Sequence, residues 1–123
     1  MLTAIHSRFG NPADVLEVRE ADLPEPAAGQ IRVKMVMASI HNHDLLTVSG
    51  DYGYKPELPA SAGTEAMGVV DALGDGVTHL RVGQRVAVSG AGTWTEYYLA
   101  AAAMAVPLPD GISDEEGAQL ISM

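Results

Sequence analysis

Two phenols sit close together in the stretch Gly50-Asp51-Tyr52-Gly53-Tyr54-Lys55-Pro56, and the first has a glycine within two residues on either side. A phenol has a pKa near 10, so it keeps its proton at neutral pH and offers an O–H from a rigid ring. Such a donor suits an oxygen on which negative charge develops during a reaction. Tyr52 is the leading candidate, because Gly50 and Gly53 let the loop bend around a bound molecule. Tyr54 ranks second, since two residues on it would face the same way in an extended loop. On spacing alone, the commoner role for Tyr52 is that of a loop aromatic packed on the rim of the fold.

The other candidate chemistry is metal binding by His41-Asn42-His43-Asp44. We read residues 41–43 as extended, with His41 and His43 turned to opposite sides, and expect no metal there. A catalytic zinc needs three protein ligands and an open position, and His41 with Glu65 would supply only two. The chain has no cysteine, which excludes disulfides and thiolate ligands. His6 and His79 fall in no pattern beyond surface or core placement.

The elements that must position these side chains are short strands. Leu2 to His6 and Val15 to Arg19 read as strands separated by a turn at Gly10-Asn11-Pro12, and a proline-rich loop runs from Leu23 to Gly29. From Ile31 the alternation is clean: Ile31, Val33, Met35 and Met37 fall on one face, Arg32 and Lys34 on the other. Further strands are expected at Gly68–Leu73, Arg85–Ser89, Trp94–Ala100 and Met104–Leu108, with one short helix around Asp44 to Ser49. Strands recurring at about ten-residue intervals between Gly and Pro turns indicate a barrel or sandwich, so the fold class expected is mainly β with a few short helices.

A chain of 123 residues fits one domain. With 47% hydrophobic and 19% charged residues it has the composition of a folded globular protein. Seven Lys and Arg against 16 Asp and Glu leave a net charge of -9. No basic stripe can neutralise phosphates, so nucleic acid and anionic membrane are not expected partners. No apolar run reaches the roughly 20 residues of a membrane span, and no basic-then-apolar leader opens the sequence, so a cytoplasmic location is expected.

Near the end, Ser113-Asp114-Glu115-Glu116 has the form of a capping box, with Ser113 as N-cap and Glu116 at N3. A helix is expected from Asp114 to Met123, shorter than the ~12 to 15 residues at which an isolated helix becomes marginal. It needs a surface to pack on.

Several marks then fall in order. They are Phe9-Gly10-Asn11-Pro12, Pro24-Glu25-Pro26, Gly29-Gln30-Ile31-Arg32-Val33, Asp44 with Gly50, Gly63-Thr64-Glu65 with Gly68-Val69-Val70, Val82-Gly83-Gln84-Arg85-Val86, and Gly92-Thr93-Trp94. Over nearly its whole length the chain resembles the N-terminal GroES-like catalytic domain of the medium-chain dehydrogenase/reductase superfamily. The resemblance implies a GroES-like β-barrel over residues 1–112, with 113–123 beginning the helix that leads to a cofactor domain. The zinc members carry Cys and His where this chain has His41 and Thr64, so the resemblance is closest to the zinc-free quinone oxidoreductases and 2-enoyl thioester reductases. It implies that Tyr52 assists reduction of a conjugated C=C, in which hydride reaches the β carbon while charge builds on the carbonyl oxygen. His41 stands where zinc-free relatives often have Asn, making it a candidate for the cofactor or substrate cleft as well as for a structural imidazole. Trp94 is a candidate lid over that cleft, or core.

The implied cofactor is NADPH, with no zinc. A dinucleotide fingerprint needs Gly-x-Gly-x-x-Gly between a strand and a helix. Gly74-Asp75-Gly76 and Gly90-Ala91-Gly92 both lack the third glycine. The expectation is therefore the small-molecule substrate side of a reductase, inactive as this chain alone. The alternatives are a stand-alone GroES-like binding or assembly module, or a zinc-dependent alcohol dehydrogenase that has lost ligands. Apolar surface near the last helix and Trp94 suggests self-association.

Overall fold

In the computed structural model, residues 1–122 are described. The anticipated last residue of the final helix, Met123, lies outside them. The strands are β1 (Leu2–His6), β2 (Leu16–Glu20), β3 (Gln30–Ala38), β4 (Ala60–Ser61), β5 (Glu65–Leu73), β6 (Arg85–Ser89), β7 (Tyr97–Ala101) and β8 (Val106–Pro107). The helices are α1 (Pro12–Val15), α2 (Asn42–Ser49) and α3 (Asp114–Gly117), with a 3-10 turn at Ala102–Met104. The fold is mainly β with short helices, as expected.

All strand pairs are antiparallel, in two sheets ordered β2-β1-β4 and β7-β3-β5-β6-β8. The sheets are stitched where β1 meets the segment before β7: Ala4 N–H donates to Trp94 O at 2.9 Å and Glu96 N–H to Leu2 O at 3.0 Å. Ile31, Val33, Val70, Val86 and Val88 fill the main core at no more than 1% exposure. β-branched side chains at period two pack well on a pleated, half-buried surface, which is why these segments pair as strands.

The alternation in β3 does not hold to its end. A register irregularity between Met35 and Met37 leaves Val36 exposed and sends the two methionines to different places. Met35 packs on the main core, whereas Met37 joins Met67, Ala87, Leu108 and Ala118 in a second cluster beneath α3. An extra residue in one strand re-aims every side chain beyond it.

The capping box forms: Ser113 Oγ accepts from Glu116 N–H at 3.1 Å, and Glu116 Oε1 accepts from Ser113 N–H at 3.0 Å. Arg85 holds the entry to α3 by donating to Ile112 O and Asp114 Oδ1, each at 2.8 Å. The helix stops at Gly117, short of the expected extent, and Ile121 and Ser122 give their N–H groups to Glu65 Oε1 instead. No helix among the described residues is long and apolar enough to cross a membrane.

Candidate active site

Three pieces of chain meet at the site: the start of α2, the Tyr52 loop, and Gly63-Thr64-Glu65 at the entry to β5. The helix α2 begins two residues before the expected Asp44, with His41 as N-cap. Asp44, at N3, turns back and accepts from His41 N–H at 2.9 Å through Oδ2, satisfying a donor the helix leaves open and placing negative charge at its positive end. Gly50, at φ 86°, closes the helix in the left-handed region, so its role is a helix cap that launches the Tyr52 loop. Gly63 also has positive φ, and a side chain there would collide with Thr93 and the Trp94 indole. That close approach fixes where Thr64 and Glu65 emerge.

The buried Asp44 carboxylate anchors a chain of hydrogen bonds. Thr64 Oγ1 donates to Asp44 Oδ1 at 2.9 Å, and His43 Nε2 lies 2.9 Å from Thr64 Oγ1. A carboxylate only accepts and the hydroxyl has one hydrogen, so Thr64 Oγ1 is an acceptor towards His43 and His43 Nε2 carries a hydrogen. The neutral imidazole then has its lone pair on Nδ1.

Glu65 anchors a second group. Its carboxylate, 3% exposed, pairs with His41 Nε2 at 2.8 Å through Oε2, while Oε1 accepts from Ile121 and Ser122. Burial pushes the Glu65 carboxyl up, but hydrogen bonds from Ser122 and His41 outweigh it and hold it below its ordinary value. Ser39 Oγ also lies 3.0 Å from His41 Nε2. His41 is thus engaged in tying α2, β5 and the last residues together.

The expectation that His41 and His43 turn to opposite sides is overturned. Their rings stack at 5.0 Å with 20° between planes, because the chain enters a helix there. Even in an extended segment residues two apart share a face, so the expected geometry was unsound. The two imidazoles nonetheless serve different carboxylates. Among the described residues no group of three or more His, Cys, Asp and Glu side chains could hold a metal ion.

A cavity of about 290 Å³ opens beside α2, and Tyr52, Tyr54, His43, Thr64 and His6 all line it. The His43 and Tyr52 rings are 6.0 Å apart. Of the expected site residues, Tyr52 and Tyr54 come together here. His41 and Trp94 do not: Trp94 donates from Nε1 to Ser39 O at 3.0 Å, packs near Val15, Val48 and Ala62, and lines a separate open groove. His43 and His6 are the cavity residues that sequence reasoning missed. The signal for His43 was Asp44 three residues after an N-cap, which starts the helix at residue 42 and carries His43 in its first turn; His6, in β1, left no signal.

Neither glycine-rich turn fits a dinucleotide. Gly74-Asp75-Gly76 and Gly90-Ala91-Gly92 lead into turns and loops, so neither presents helix N–H groups to a pyrophosphate.

Residues 27–110 match the alcohol dehydrogenase GroES-like domain family. The chain is 42% identical over 113 residues to a quinone oxidoreductase of Salmonella typhimurium, covering 90% of this chain and 34% of that protein. It is 34% identical over 118 residues to the human mitochondrial enoyl-[acyl-carrier-protein] reductase, covering 94% and 32%. Alcohol dehydrogenases of Moraxella sp. and Geobacillus stearothermophilus are relatives as well. The solved Escherichia coli quinone oxidoreductase complexed with NADPH superposes with a TM-score of 0.88 at 33% identity, over 96% of this chain and 36% of that one. The chain therefore spans about a third of the length of these proteins.

Proposed function

The chain belongs to the alcohol dehydrogenase GroES-like domain family of the medium-chain dehydrogenase/reductase superfamily, and from that premise we propose that it forms the substrate side of an NADPH-dependent reductase acting on a conjugated C=C of an enoyl thioester or a quinone. The observation that carries this reading is the cavity in which the Tyr52 phenol and the His43 imidazole lie side by side. The relatives are oxidoreductases by name, and one of them was solved with NADPH.

The hydride would come from the nicotinamide of NADPH, for whose pyrophosphate neither glycine-rich turn of this chain offers a helix N-terminus. The chain's own part is to bind, orient and provide a proton. Tyr52 donates to the substrate carbonyl, stabilising the charge that accumulates there as the double bond is reduced. His43 stands next to it with Nε2–H tied to Thr64, which leaves the lone pair of Nδ1 as its proton-accepting position. Asp44 and Thr64 act through His43 and are positioning residues.

Reading the gene beyond codon 123 and assaying the longer product for NADPH oxidation with a 2-enoyl thioester and with a quinone tests the proposal. Turnover of neither would sink it and leave a binding or assembly module as the reading. On its own the 123-residue chain is expected to be inactive, because only one face of the reaction cleft is present. We also propose that the isolated chain self-associates: Leu2, Val18, Val36 and Ile40 stand exposed along the groove of about 410 Å³ that Trp94 lines. A monomer by light scattering at high concentration would refute this.

A further inference from the structure

His6 is buried to 1% exposure in β1, and its ring is fixed on two sides. Nδ1 lies 3.1 Å from Arg8 O, and the ring meets Phe9 edge-on at 5.8 Å between centroids. A carbonyl oxygen only accepts, so the hydrogen of the neutral imidazole is on Nδ1 and the lone pair is on Nε2. Among the described residues Nε2 has no hydrogen-bond partner, yet no sealed side-chain nitrogen or oxygen there lacks one. Nε2 is therefore reached from the cavity that His6 lines.

The cavity's polar groups are then of two kinds. The phenols of Tyr52 and Tyr54 donate near the mouth, where both side chains are exposed. His6 accepts in the buried part. We propose that His6 is a specificity-determining acceptor, selecting conjugated carbonyl compounds that also carry a hydroxyl or N–H donor of their own. This rests on the reductase reading for the carbonyl end, which Tyr52 meets, and adds the donor end. His43 Nδ1 is a second acceptor, but its side chain is 38% exposed and water competes for it. At the buried His6, a ligand without a donor displaces water from Nε2 and leaves the lone pair unpaired, which is where discrimination arises. A cavity of about 290 Å³ suits a compound of one or two rings.

The test uses the 15N-labelled 123-residue chain with two probes, cyclohex-2-enone and 4-hydroxycyclohex-2-enone. The chain has no cysteine that could add to either enone. Long-range 1H–15N spectra are expected to show hydrogen on His6 Nδ1 and an unprotonated Nε2, whose resonance moves on adding the hydroxylated probe and not the parent. The hydroxylated probe is expected to bind about tenfold tighter, the effect of one added hydrogen bond. His6→Phe should abolish that preference, bringing the affinities of the two probes together. Hydrogen on Nε2, or an unchanged preference in His6→Phe, overturns the proposal; should that variant fail to fold, the wild-type tautomer and ligand shifts decide it. Tyr52→Phe should weaken both probes equally and keep the preference. If it weakens neither while the His6-dependent preference stands, the carbonyl assignment falls and the donor selection remains. Binding of neither probe overturns both.

Discussion

Thr64 gives its hydroxyl hydrogen to Asp44 across 2.9 Å, and that bond decides what the neighbouring imidazole can do. With its only hydrogen committed, Thr64 presents a lone pair to His43 and places the His43 hydrogen on Nε2. Thr64 thus sets the tautomer of its neighbour.

Removing the anchor should be costly. Asp44→Ala deprives His41 N–H and the Thr64 hydroxyl of their acceptor in a buried place, and a loss of about 1–3 kcal/mol is expected in urea denaturation. Thr64→Val should cost less, and the double variant should show a coupling of about 0.5 kcal/mol or more. Strict additivity would mean that the two side chains do not act together.

Glu65 should make the fold sensitive to acid. Its carboxyl is held below the ordinary value of 4.5, so the folded state favours the ionised form. That stabilisation is complete above the unfolded pKa and is lost as pH falls through the lower folded one. Denaturation midpoints measured from about pH 6 down to about pH 3 should therefore fall more steeply for the wild type than for Glu65→Gln. Parallel curves would remove Glu65 from the account.

Tyr52 and Tyr54 should separate under kinetics. In a product that extends beyond residue 123 and turns over NADPH, Tyr52→Phe is expected to lower kcat on the order of 10²-fold, as loss of a donor to a developing oxyanion does. Tyr54, the more exposed of the two at 62%, should change kcat little when replaced by Phe. Intact turnover in Tyr52→Phe would end the assignment.

Gly63→Ala should strain the site's floor, since its φ of 95° and its contact with Thr93 and Trp94 leave no room for a methyl group. A cost on the order of 1–3 kcal/mol is expected. Trp94 is the only tryptophan, so its fluorescence reports the displacement directly. An unshifted spectrum with unchanged stability would contradict the packing described.

Much of the frame was legible along the chain, because strands declare themselves by local alternation. Leu2–His6 and Arg85–Ser89 fall where the pattern places them. The exceptions have long-range causes. The two-residue β4 exists only because Ala60 and Ser61 pair with β1 more than fifty residues away. The expected strand from Trp94 begins only at Tyr97, because the backbone N–H and C=O of Trp94 are taken by Ala62 and Ala4 rather than by β3. Met37 leaves the face of Met35 because β3 carries an irregularity that hydrophobic period alone does not reveal.

For the site, sequence alone determined the family marks, the paired phenols at Tyr52 and Tyr54, and the capping box at Ser113, all features carried by residues within a few positions of one another. Only the tertiary structure decided which imidazoles join the phenols. His6 reaches the cavity from β1 and His43 from the first turn of α2, while His41 is drawn away by Glu65 and Trp94 by Ser39. Those outcomes depend on hydrogen-bond partners distant in sequence. A donor or acceptor is assigned by whichever partner the fold brings within about 3 Å, and nothing local encodes that meeting.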